Sequence, residues 1–87
     1  MDVRCPSCGE PLYLRRTRKL TTLEFLARCR RCGWRGVLKI LYCGVCKRYS
    51  YFLWEDGTWR CMTCGHTRWA GPPSLEAVEY IRAKAIG

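Results

Sequence analysis

The chain has 87 residues, a formal net charge of +9 from 16 Lys and Arg against 7 Asp and Glu, and eight cysteines. So short a chain makes one small domain or two very small modules, and at roughly 1.5 kcal/mol of ordering cost per residue its apolar core needs a further staple. It opens with MDVRCPSCG and holds no apolar run as long as the roughly 18 residues of a membrane span, which argues against a secreted disulfide framework and for a cytoplasmic location.

Residues 1–40 form the first predicted unit. Its cysteines stand as two Cys-x-x-Cys pairs, Cys5/Cys8 and Cys29/Cys32, and the residues between them read as a β-hairpin, PLYLRRTR and TLEFLAR around a KLT loop. A hairpin brings its two ends together, so both pairs meet around one ion. Four thiolates are the donor set of a closed tetrahedral zinc site. Gly9 and Gly33 follow the two knuckles, where positive φ is often needed. GWRGVLKILY then reads as a strand leading into the next knuckle.

Residues 41–70 repeat the plan with Cys43/Cys46 and Cys61/Cys64. Here RYSYFLW and TWR flank Glu55-Asp56-Gly57, and Asp-Gly between aromatic strands is a strong signal for a two-residue type I′ turn. That turn pairs Glu55 with Thr58, Trp54 with Trp59, Leu53 with Arg60 and Phe52 with Cys61. Phe52, Trp54 and Trp59 therefore share the face of the ligand Cys61, and Tyr49, Tyr51, Leu53 and Arg60 share the other. Gly65 follows the last knuckle, whereas Lys47 stands in that position after Cys46. Residues 71–87 change character: Ser74 is suited to an N-cap, Glu76 and Glu79 to the early helix, and Leu75, Val78, Ile81 and Ala85 to one apolar side. Such a helix covers the hairpins or docks a partner.

The expected fold is thus small, metal-stabilised and β-rich: two tandem four-cysteine zinc ribbons and a C-terminal α-helix. Two Zn2+ ions are expected, one on Cys5, Cys8, Cys29 and Cys32, the other on Cys43, Cys46, Cys61 and Cys64. Disulfides, and a cross-braced pairing of Cys5/Cys8 with Cys43/Cys46, remain open alternatives. Eight thiolates on two divalent ions lower the net charge to about +5, so the chain stays basic.

The basic excess is concentrated in residues 1–40, with ten Lys and Arg against three Asp and Glu. Arg15, Arg16, Arg18 and Lys19 gather at the hairpin tip, and Arg28, Arg30, Arg31 and Arg35 at its closing knuckle. Guanidinium groups bind phosphate bidentately, so these residues are candidate nucleic-acid contacts. The plainer reading is that Arg30 and Arg31 neutralise the thiolate centre while the tip is solvated. Tyr49, Tyr51 and Arg60 are candidates to stack and hold unpaired bases, or else pack against the first unit or the helix. Closed four-thiolate sites leave no open metal position, so no enzyme is expected, and His66 reads as a surface residue. Iron in the same knuckles would instead resemble the electron carrier rubredoxin.

The pattern CPSCG, a Thr-Arg hairpin and CRRCGWRG over residues 5–36 resembles the zinc ribbons of transcription proteins, both Ogr/Delta-type phage activators and the C-terminal ribbon of transcript-cleavage elongation factors. The cleavage factors carry an adjacent Asp-Glu pair at the hairpin tip. Here the tip is basic and Glu24 is the one acid between Pro11 and Arg28. The resemblance therefore implies the ribbon and a nucleic-acid machine, not cleavage. Small basic zinc-ribbon proteins of ribosomes are a looser likeness. The expected function is RNA or DNA binding as an accessory of translation or transcription; the alternative is an adaptor for a protein of the ribosome or RNA polymerase.

Overall fold

The structure, a computed structural model, describes residues 3–18 and 23–86. Lys19, expected at the hairpin tip, lies outside the described residues. The elements are β1 (Tyr13–Arg16), β2 (Glu24–Arg28), β3 (Arg35–Cys43), β4 (Arg48–Glu55), β5 (Thr58–Cys61), β6 (Thr67–Arg68) and α1 (Leu75–Ile86). All strands lie in one antiparallel sheet in the order β1-β2-β3-β4-β5-β6. Each connection is short, so each strand folds back on its predecessor.

β3 is what joins the two expected ribbons. It leaves the Cys29/Cys32 knuckle, pairs with β2 on one side and β4 on the other, and ends at Cys43. The boundary expected between residues 40 and 41 falls inside this strand, which belongs to both units. Its sequence RGVLKILYC is nearly continuously apolar because both faces of the sheet are covered. Asp56 and Gly57 have φ of 52° and 79°, as the type I′ turn requires. β4 and β5 accordingly pair in the expected register, Trp54 opposite Trp59 and Phe52 opposite Cys61.

One face packs Leu26, Val37, Phe52 and Trp59 beneath α1. The opposite face packs Ala27, Leu38 and Leu53 beneath Val3, Leu12 and Trp34. Gly36 permits that second packing: a Cβ there would run into the Trp34 ring and come within 3.1 Å of the Leu53 Cδ1.

The buried side of α1 differs from the one expected. Ile81 meets the sheet as expected, but Leu75 is 73% exposed, and Ala77 and Tyr80 join Ile81 against the sheet. The reason is a polar fastening ahead of the helix. Glu24 is fully buried, and its carboxylate accepts hydrogen bonds from the Ser74 hydroxyl and, at 3.1 Å, the Ser74 backbone N–H. Lys39, directly across the strand pair from Glu24, donates to the Ala70 carbonyl at 2.9 Å, and Trp59 Nε1 donates to the Gly71 carbonyl at 2.8 Å. These bonds fix where the chain enters α1 and hence which side it presents. Ser74 caps the helix as expected, its hydroxyl accepting from the Ala77 N–H at 3.3 Å.

Candidate metal centres and the basic face

The four knuckles are built alike. In each, the amide of the residue four places after the first cysteine donates to that cysteine's carbonyl: Gly9 to Cys5, Gly33 to Cys29, Lys47 to Cys43 and Gly65 to Cys61, at 2.7–3.0 Å. The three glycines have φ near 80° and Lys47 has φ 58°, so Lys47 adopts the turn that glycine adopts elsewhere. The first cysteine of each pair is buried, and the second is exposed or half-buried. Each cluster thus has its back in the protein and its front at the surface.

Cys5, Cys8, Cys29 and Cys32 form one cluster and Cys43, Cys46, Cys61 and Cys64 the other, with all sulfurs of a cluster within 4.8 Å of one another. The nearest pairs are Cys8–Cys29 at 3.3 Å, and Cys5–Cys32 and Cys43–Cys64 at 3.5 Å. A tetrahedral ion with bonds of about 2.3 Å places its sulfurs about 3.8 Å apart, within this range. A disulfide needs about 2.05 Å, and all eight cysteines are free. The pairing is within each ribbon, so the cross-braced alternative is not the one adopted. These are two four-cysteine metal-binding clusters, compatible with two metal ions, at opposite ends of β3.

Thiolate chemistry at the clusters also fits a cation. The Cys32 amide, followed by the Cys8 thiol and the Arg31 amide, outweighs burial and holds Cys29 down at about 6. Burial opposes ionisation of Cys61, but the Ser50 hydroxyl and the amides of Cys64 and Thr63 bring it down to about 6. Cys64, with burial, pushes Cys46 up to about 12. The Glu10 amide favours the Cys8 thiolate, yet Cys29 and burial drive Cys8 up to about 12. Within each cluster some thiols ionise readily at the expense of their neighbours. A divalent cation removes that conflict, because all four can then be thiolates.

The sequence-predicted contact residues do not share one surface. Arg15 and Arg16 are successive strand residues and point to opposite faces: Arg15 toward α1, where it lies 3.5 Å from the Glu76 carboxylate, and Arg16 to the other side. The Arg18 backbone N–H also donates to Glu76, at 3.0 Å. Arg15 and Arg18 are thereby tied to the start of α1. Arg31 pairs with Glu10 at 2.9 Å and Arg60 with Glu55 at 3.0 Å. Tyr51 is half-buried with its ring 6.0 Å from Phe25, so it packs against the first unit, while Tyr49 is 66% exposed and stacks edge-on with Tyr42 at 5.5 Å.

At the other end of the hairpin the structure does assemble a surface. Tyr13, Arg28 and Arg35 lie directly opposite one another across β1, β2 and β3. The Arg30 guanidinium sits 4.9 Å over the Tyr13 ring and donates to its hydroxyl at 3.0 Å. Arg35 sits 4.9 Å over Tyr80 of α1. Among the described residues the Arg28 side chain makes no hydrogen bond or ion pair. Sequence reading missed Tyr13 and Tyr80, because the stretch between Arg18 and Leu23 carries no turn signal that would set the first hairpin's register. Comparison of the chain with protein families, curated proteins and solved structures returned no match. Among the described residues, no helix is long and apolar enough to cross a membrane.

Proposed function

We propose that both clusters hold zinc and that the protein is a non-enzymatic, nucleic-acid-binding accessory of the translation or transcription machinery. The observation that carries this reading is the Tyr13–Arg28–Arg35 row with Arg30 stacked beside it. Aromatic rings hold the Arg30 and Arg35 guanidinium planes, so less rotamer freedom is lost when they bind phosphate. The first cluster anchors the row, since Cys29 follows Arg28 in the chain. Four-thiolate donor sets favour a structural ion with no open position for substrate, which supports binding over catalysis. Zinc is distinguished from iron by mass and by colour, because a ferric thiolate centre absorbs visible light.

The test is binding of a labelled RNA or DNA over a range of salt. Arg28→Ala and Arg35→Ala should each weaken binding across sequences by about 1 kcal/mol or more and lower the salt slope by about one unit. Unchanged affinity and slope in folded, two-ion variants would refute the reading. The adaptor alternative is favoured by one observation, the exposure of Trp69 (63%) and Leu75 (73%) around the start of α1; it expects protein capture that survives nuclease treatment.

A further inference from the structure

The residues before the first knuckle lie against the face of the sheet opposite α1, with Val3 in its apolar cluster. This placement carries Arg4, the neighbour of ligand Cys5, to the side of the second ribbon. There it borders a cleft that Arg48 also borders, and Arg48 is the strand partner of ligand Cys43. Two arginines, each beside a different metal centre, thus border one opening. Tyr51 and Met62 supply its apolar lining and Thr63 supplies a hydroxyl, which lies 3.3 Å from that of Ser50, itself buried against the Cys61 sulfur. No acidic side chain among the described residues lines it. Among the described residues the Arg48 side chain makes no hydrogen bond or ion pair, and the Arg4 side chain makes one, to the Gly9 carbonyl at 3.2 Å. Exposed Tyr49 lies two residues before Tyr51 on the same strand face, so aromatic surface continues outward from the cleft.

We propose that this cleft takes one unpaired nucleotide of a bound strand, its phosphate between Arg4 and Arg48 and its base against Tyr51 and Met62. The proposal rests on the nucleic-acid-binding reading and deepens it by naming the strand type. Guanidinium groups with spare donors suit a phosphate, and an aromatic side chain suits the flat face of a base without regard to its identity. A paired base keeps both faces in its own stack and has to leave it to enter such a cleft. The Tyr13–Arg28–Arg35 row, by contrast, meets phosphates that any strand offers. The row supplies affinity, and the cleft supplies a preference for single strands.

The probes are a labelled single strand of about 12 thymidines or uridines and a labelled hairpin duplex, each titrated against the full chain carrying its metal. The native protein should prefer the single strand. Arg4→Gln and Arg48→Gln should each weaken single-strand binding about tenfold and leave duplex binding unchanged. Bound metal is counted by native mass for each variant. Because the two arginines neighbour different centres, a loss shared by both variants with two ions retained supports the cleft, and if Arg48→Gln sheds an ion the Arg4→Gln result decides. Single-strand affinity unaltered in both variants, with Arg28→Ala still weakening both probes, overturns the cleft and leaves the proposed function standing. A native protein that binds neither probe overturns both.

Discussion

Lys47 shows how far a local backbone requirement reaches past residue identity. Three knuckles place glycine where positive φ is needed, and the third places a lysine there at φ 58°. The left-handed region costs an L-residue about 1 to 2 kcal/mol, whereas glycine brings about 0.5 to 1 kcal/mol of extra unfolded-state entropy. Lys47→Gly is therefore expected to stabilise the metal-loaded protein by about 0.5 to 1 kcal/mol, read as a higher urea midpoint at unchanged slope. A lower midpoint would mean that the lysine side chain makes a contribution larger than its backbone strain. The surface ion pairs Arg31–Glu10 and Arg60–Glu55 are exposed on both sides and add little to stability. On the proposed nucleic-acid reading, each would place a carboxylate beside an arginine that a phosphate would otherwise meet alone.

Among the elements, α1 depends most on a contact outside itself. It has 12 residues, at the lower limit of what an isolated helix sustains, so packing and capping hold it. Glu24 accepts from both the backbone and the hydroxyl of Ser74 while placing a carboxylate at the helix N-terminus, where the aligned peptide dipoles favour negative charge. Glu24→Ala removes the acceptor from a fully buried site and leaves Ser74 without its partner. The expected cost is about 2 to 4 kcal/mol, with loss of helical circular dichroism in step with the urea transition and a smaller cost for Glu24→Gln. Stability equal to the native protein's would show that α1 holds its place by apolar contact alone.

In the whole molecule, the two metal centres share a strand. β3 ends at one cluster and begins beside the other, and neither half of the sheet is complete without it. Structural zinc contributes about 10 to 16 kcal/mol per site in comparably small folds, so chelation is expected to unfold the chain. Loading should also be cooperative, because ordering β3 around one ion prepares the strand for the other. Native mass spectra taken during metal titration should show little of the one-ion species, and Cys32→Ser in the first cluster should weaken the second. A statistical mixture of zero, one and two ions would show that the two ends order independently.

Sequence spacing by itself determined the four Cys-x-x-Cys knuckles and pointed to the within-ribbon donor sets, because a hairpin between two knuckles has few ways to close, but it left the cross-braced pairing open until the structure placed the sulfurs. It also determined the register of the second hairpin, where Asp56-Gly57 leaves one pairing open to β4 and β5, and the capping of α1 at Ser74. The tertiary structure decided what depends on distant partners. That the two ribbons merge into one sheet follows from β3 bonding on both edges, which no spacing within either unit encodes. That Leu75 faces outward while Ala77 and Tyr80 face inward follows from Glu24, 50 residues from Ser74 in the chain. Arg15 and Arg16 look like one basic cluster in the sequence, yet the alternation of a strand sends them to opposite faces. Arg28 and Arg35, grouped in the sequence only by nearness to the closing knuckle, are set side by side by pairing, with Tyr13 beside them. A run of like charges thus identified the hairpin that carries the basic residues, but only strand pairing selected which of them stand together, because side-chain direction on a sheet is set by parity and register.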